Sequence, residues 1–256
     1  MTRPEARARL LLAVEWICHT LWLAQRREPE LLQLQEERGS TGFPHYILSR
    51  AGNVPDADWA AALYVMPPSL VEHLRPRCVA LEPASYLLVA LEAGAAALRR
   101  LHPEANGLAL GQLARASRPP GQLPQAWWEL PPGEDPHRAL LWAAMTLREG
   151  RAYAHYQAAE SQGLRPLELL VLTAIWQGTD AVPVQRLFRW GDDEVGAARE
   201  SLGAGGWLTG DGALSAAGRA RREAMEAETE AYSDHLLEPL PDRQLELLAT
   251  TLPISA

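Results

Sequence analysis

Lysine is absent from this 256-residue sequence, so all 24 basic residues are arginine. Basic charge is also in deficit: the net charge of -8 and a pI near 5.4 leave no basic face for non-specific binding to nucleic acid or a membrane surface. There are only two cysteines, Cys18 and Cys78, too few for a disulfide framework. Both lie in apolar helical surroundings and are expected to be small buried hydrophobes in a reducing compartment. No apolar run approaches the roughly 20 residues that a membrane span needs. The run Leu10 to Val14 is broken by Glu15 and His19 and has no small-residue cleavage site, so no signal peptide is expected. These absences predict a cytoplasmic protein without membrane contact. Also missing are a glycine-rich phosphate loop, a Gly-x-Ser-x-Gly elbow and a Cys-x-x-Cys pair. His19, His45, His73, His102, His137 and His235 show no metal-site spacing, and Glu15 with His19 four residues on is too little for a metal. Neither metal nor cofactor is expected.

What is present is a globular composition, 47% apolar and 22% charged. Helical periodicity predicts a long amphipathic helix over 4–27, with Leu11, Val14, Cys18, Leu21 and Trp22 on its stripe. Further helices are predicted over 30–38, 45–50, from Asp58 through Tyr64, from Pro68 to about Leu74, and over 83–101. Residues 117–136 are rich in proline and glycine and read as an irregular strap pinned by Trp127 and Trp128. Helices resume over 137–162 and 167–177. The predicted organisation is a helical N-terminal domain 1–118, a strap 119–136, and a winged-helix-like domain 137–256. The fold class is mainly α, with one small two-stranded wing hairpin.

The winged helix is read from an ordered series: a short helix 183–188, a turn at Trp190-Gly191, a helix from Asp192 to about Ala204, a hairpin, and a long helix 216–237. The hairpin pairs Gly206 to Thr209 with Ala213 to Ser215 around Asp211-Gly212. Ser201 to Leu208 and Gly212 to Arg219 resemble the end of the recognition helix and the wing of MarR-type regulators. The charges are unusual for DNA. The reading helix carries Asp192, Asp193, Glu194 and Glu200 against one Arg199, and the wing tip carries Asp211. Arg186 and Arg189 alone precede it, so DNA is an unexpected partner.

Across its whole length the chain resembles an actinobacterial helix-turn-helix-like family with a MarR-type C-terminal half. One block is Tyr46-Ile47-Leu48-Ser49-Arg50-Ala51. The other is Leu147-Arg148-Glu149-Gly150-Arg151-Ala152-Tyr153-Ala154-His155. Gly52-Asn53-Val54-Pro55 departs from the family's Ala-Pro-Leu-Gly after the first block. The resemblance implies the fold, and a homodimer formed through the terminal helices.

On the helix 137–162, Leu141, Ala144, Met145, Arg148, Ala152 and His155 share one stripe, so Arg148 and His155 are expected to face protein. A buried guanidinium needs an anionic partner, for which Glu15 and Glu149 are the candidates. Tyr46 and Arg50 are placed to close the same cluster. Two readings stay open. The residues form a network locking helices together, or they form a polar spot in a cleft between the two halves. In the second, Arg148 or Arg50 holds an anion and His155 or Glu15 moves a proton. Arg151, Tyr153, Trp127, Trp128 and Trp142 join the candidate ligand-binding residues, the Trp127-Trp128 pair as a lid over a flat apolar molecule.

The function expected on the second reading is binding, and cofactor-free acid-base conversion, of an aromatic and possibly anionic small molecule. The conversion would be a condensation or cyclisation in bacterial secondary metabolism. The alternative is a MarR-like ligand-responsive regulator. A protein-interaction module would instead expose a large apolar patch.

Overall fold

The structure is a computed structural model that describes residues 1–38, 43–55, 58–179, 185, 186 and 188–252. Thr2 opens the first helix. Its hydroxyl accepts the Glu5 N–H at 3.4 Å, and the Glu5 carboxylate accepts the Thr2 N–H at 2.8 Å, a reciprocal cap. Helix α1 (Arg3–Arg27) buries Leu10, Ala13, Val14, Ile17, Cys18 and Leu21, a stripe at helical spacing. This stripe packs against α6 (Pro83–Leu101) and α13 (Asp242–Thr251). Between them the chain forms α2 (Pro29–Glu37), α3 (Phe43–Ala51), α4 (Trp59–Ala62) and α5 (Pro68–Ala80). Then follow α7 (Leu108–Ala116), α8 (Gln122–Trp128), α9 (Pro136–Ser161) and α10 (Pro166–Gln177). Helices α11 (Asp192–Ala204) and α12 (Ala216–Leu237) precede α13.

The chain divides into two compact units that are not contiguous in sequence. The first comprises 1–58, 75–153 and 233–256, and the second 59–74 and 154–232. The cuts fall inside α5, α9 and α12. In α5 the cut lies one residue before Pro76, where a sequence reading ends the helix. The helix instead continues through Pro76 to Ala80. Glu72, whose carbonyl loses its donor, is exposed, as is Pro76, so the missing bond falls on the solvent side of the helix.

The strap also departs from expectation. Residues 122–128 form α8, and Pro124 is tolerated there because it lies in the first turn, where the missing N–H has no intrahelical acceptor.

The second unit contains the segment whose order of elements suggested a winged helix. Leu167, Leu169, Val171 and Leu172 of α10, Ala198 and Leu202 of α11, Trp207, Leu208 and Met225 share one core with Ala158, Ala159 and Leu164. Segment 59–74 is joined to it by Tyr64, which stacks on Tyr156 at 4.9 Å and donates its hydroxyl to the Leu164 carbonyl at 2.9 Å. The Trp190 indole also donates to the Val65 carbonyl at 3.1 Å. Before α11, Gln185, Arg186 and Phe188 are helical, and the rest of the expected helix 183–188 lies outside the described residues. Asp192 is the first residue of α11, as the sequence suggests, and Gly191 precedes it as the cap. The Glu194 carboxylate accepts the Gly191 N–H at 2.8 Å, and the Gln185 side-chain amide holds Asp192 at 2.7 Å.

The expected two-stranded wing is not formed among the described residues. One antiparallel bridge, Leu208 with Leu214, replaces it. Thr209 and Ala213 close the loop at 2.8 Å, leaving Gly210, Asp211 and Gly212 between them. That is three residues rather than two, with Gly212 left-handed at φ 82°. Gly206 also has positive φ at the start of one arm, and at the end of the other Ser215, already bonded to the Gly206 carbonyl, directly precedes α12. No arm remains long enough for a ladder. No single helix among the described residues is long and apolar enough to cross a membrane.

Candidate functional site

Two polar clusters lie along α9, one in each unit. In the first unit, α9 directs Arg148 and Glu149 at α1 and α3. The Arg148 Nε donates to Glu15 Oε2 at 3.0 Å and its Nη1 to Glu149 Oε1 at 2.5 Å. Arg50 of α3 brings Nη2 to 3.5 Å from Glu149 Oε2. The Glu149 side chain is 0% exposed, and it stands between two guanidiniums. Burial alone would weaken the charge on Arg148, and Arg50 opposes it as well. The adjoining Glu149 and Glu15 outweigh both, so the Arg148 pKa is raised. Burial also pushes the neighbouring Cys18 thiol up, against the pull of Arg148. The arrangement is two cations on two anions, each guanidinium paired: a lock between α1, α3 and α9.

The other candidates of this unit fall around the lock. Tyr46 is half-buried on α3, and its carbonyl accepts the Ser49 hydroxyl at 2.7 Å. Arg151 is half-buried on α9. Tyr153 lies against Gly121, where φ is 85° and an added Cβ would come within 2.5 Å of the ring. Trp127 and Trp142 are both fully buried. The Trp127 indole donates to the Arg50 carbonyl at 3.3 Å, and the Trp142 indole donates to the Trp127 carbonyl at 2.8 Å. Trp127 therefore anchors α8 in the core instead of covering a pocket, because its whole ring is enclosed by protein. Trp128 is half-buried and latched to α7. Its indole donates to the Arg115 carbonyl at 3.3 Å, Arg115 donates to its carbonyl at 2.9 Å, and that guanidinium lies 5.0 Å from its ring.

His155 belongs to the second unit, and its partners come from α12. Its Nδ1 lies 3.2 Å from Thr229 Oγ1 and 3.9 Å from Glu226 Oε1. The Thr229 hydroxyl donates to the Met225 carbonyl at 2.9 Å, so toward His155 its oxygen accepts. Glu226 also accepts from Nη1 of Arg222, whose side chain is 3% exposed. Arg222 and Arg219 lie 5.8 and 5.4 Å from the Trp176 ring of α10. Arg219, Arg222, Glu226 and Thr229 share one face of α12 by their spacing of three, seven and ten residues. That stripe is present in the sequence, but only the fold brings it beside His155 and Trp176. Among the described residues, no group of three or more His, Cys, Asp or Glu side chains is placed to hold a metal.

The face of the helix-turn-helix carries the opposite charge. Asp192, Asp193, Glu194 and Glu200 of α11 are all exposed, with Arg199 the one exposed base on that helix. At the wing tip, the Thr209 hydroxyl and the Ala213 N–H bind the Asp211 carboxylate and lower its pKa.

The model of a helix-turn-helix family matches residues 16–256, nearly the whole chain. The chain belongs to this helix-turn-helix family. Nothing among curated proteins and nothing among solved structures matches it. The exposed side of α11 is acidic, and of the guanidiniums in the two clusters Arg222 of α12 is the most deeply buried.

Proposed function

We propose that the chain is a MarR-like winged-helix protein turned from DNA reading to small-molecule work. It binds an aromatic, anionic small molecule and converts it by cofactor-free proton transfer at His155. One observation carries the reading: α11 exposes four carboxylates against one guanidinium. A helix so charged repels the phosphates it would have to meet, and it releases no counterions. The chemistry is supported by the Thr229 contact at Nδ1, which orients the imidazole of α9 against α12. Arg148 and Glu15, already paired with each other, take no part in the proton transfer in this reading. Condensation and cyclisation are the reaction types such a base serves, as in bacterial secondary metabolism. The setting is the cytoplasm, where the free thiols of Cys18 and Cys78 stay reduced. A homodimer fits Leu12 of α1 and Leu247 of α13, which are 56% and 58% exposed.

The test incubates purified protein with a metabolite extract and follows bound and converted masses by chromatography and mass spectrometry. A mass that is consumed by the wild type and only retained by His155→Gln supports the reading. Conversion unchanged in His155→Gln removes His155 as the base, and no retention of any mass removes the reading itself. A second reading, a ligand-responsive regulator, is favoured by membership of a helix-turn-helix family and by the exposed Arg186 and Arg189. Specific binding to promoter DNA, released by a retained metabolite, would establish it.

A further inference from the structure

Leu12 is 56% exposed, and it stands at the centre of an outward face of α1. Counted outward from it by three, four and seven residues, that face holds Arg9 and Glu15, Ala8 and Trp16, and Glu5 and His19. Trp16 is half-buried, its ring edge-on to His102 at 4.9 Å, and the other six residues are exposed. Their own chain does not use up the charged groups. Arg9 donates Nε to the Ala249 carbonyl at 2.6 Å, and Glu15 accepts Arg148 on Oε2 at 3.0 Å. The Arg9 Nη groups and Glu15 Oε1 have no partner among the described residues.

We propose that this face is the homodimer interface, with α1 lying antiparallel on α1 of a second copy about a two-fold axis through Leu12. Such an axis brings together positions whose numbers sum to 24, and each contact occurs twice. Arg9 then meets Glu15 of the partner subunit, a guanidinium against a carboxylate. Glu5 meets His19 of the partner subunit, a carboxylate against a ring N–H. Ala8 meets Trp16 of the partner subunit, the smallest side chain of the face against the largest, and the two Leu12 side chains pack on the axis. The face is thus complementary to its own reverse in charge and in size. The exposed Leu247 of α13 has no such surroundings: about it Arg243 would meet Thr251 and Gln244 would meet Thr250, with no charge answered. Exposed ion pairs add little affinity but fix register, so the leucines and the Ala8–Trp16 contacts supply the attraction. One helix face is smaller than the standard interface of roughly 1,200–2,000 Å², so the dimer is weak, with Kd expected between about 1 and 100 μM.

The interface rests on the homodimer of the proposed function, to which it gives an axis and a register, and on none of the small-molecule chemistry. The experiment is sedimentation equilibrium of the full chain up to about 500 μM, each variant being checked for native far-UV signal. A monomer–dimer equilibrium is expected, weakened at least tenfold by Leu12→Asp and left within twofold by Leu247→Asp. Arg9→Glu and Glu15→Arg each weaken self-association at least tenfold, because like charges then face each other across the axis. An equimolar mixture of these two variants restores dimerisation, since both charge pairs are re-formed between unlike chains. Leu12→Cys cross-links to itself with a short bismaleimide, whereas wild type, whose two thiols are buried, does not. A chain that stays monomeric throughout overturns the proposal and the homodimer together, and leaves the face to a partner of another kind. A dimer that survives Leu12→Asp, or that Leu12→Cys fails to cross-link, overturns this interface while leaving the homodimer standing. Whether a small molecule is bound is decided separately, by retention from the extract.

Discussion

Glu149 shows how far a single residue can be read before the fold is known. A guanidinium on the inward stripe of a helix demands an anion, and that argument alone puts Glu15 and Glu149 beside Arg148. The sequence also places Arg50 at this cluster, but that Glu149 is the carboxylate it meets follows only from the packing of α3 on α9. The partners of His155 were equally hidden, since Thr229 and Glu226 lie more than seventy residues away on α12. At this scale the lock makes a firm prediction. Glu149→Gln leaves two guanidiniums facing a neutral amide in the interior, and it lowers unfolding free energy by about 3 kcal/mol. Urea titration followed by far-UV circular dichroism measures it. A loss near zero would mean that the cluster contributes nothing to holding α1, α3 and α9 together.

Most helices announced themselves through apolar spacing and punctuation. Helices α1, α6, α9 and α10 have stripes long enough to outweigh local ambiguity. Those that did not are instructive. Helix α7 begins after Gly107 without a side-chain cap, and α8 carries Pro124 in a segment whose composition argues for irregular chain. Both are held by burial of Leu110, Leu113, Leu123 and Trp127, which no local signal reports. The wing failed in the other direction: its turn signal was right, but its arms were too short for strands.

Helix α10 yields a pH prediction. Burial would raise the Glu168 pKa, but hydrogen bonds from Arg165 and Ser201 outweigh it and hold the pKa below the ordinary 4.5. A carboxylate with a lowered folded pKa stabilises the fold above its unfolded value, and the contribution is lost as pH falls through the folded one. Stability should therefore fall as pH drops below 4.5. Glu168→Gln should be less stable than wild type at neutral pH and fall less steeply in acid. Parallel acid limbs for the two proteins, in unfolding curves taken at successive pH values, would contradict this.

For the molecule as a whole, charge and fold point in different directions. The fold, and the match over residues 16–256, are those of a helix-turn-helix protein. The charge distribution puts carboxylates on the exposed side of α11 and keeps Arg50, Arg148 and Arg222 inside or nearly so. Both features were visible in outline from the sequence, since α11 reads as acidic whichever of its faces is exposed. What only the structure supplied was the second cluster. The measurement that bears most directly on this account is selection of binding sequences from a randomised duplex DNA library, at low salt where phosphate contacts are strongest. The account predicts that no sequence is enriched over the starting library. An enriched motif bound with a steep salt dependence would mean that α11 reads DNA despite its carboxylates, and the central claim would fail.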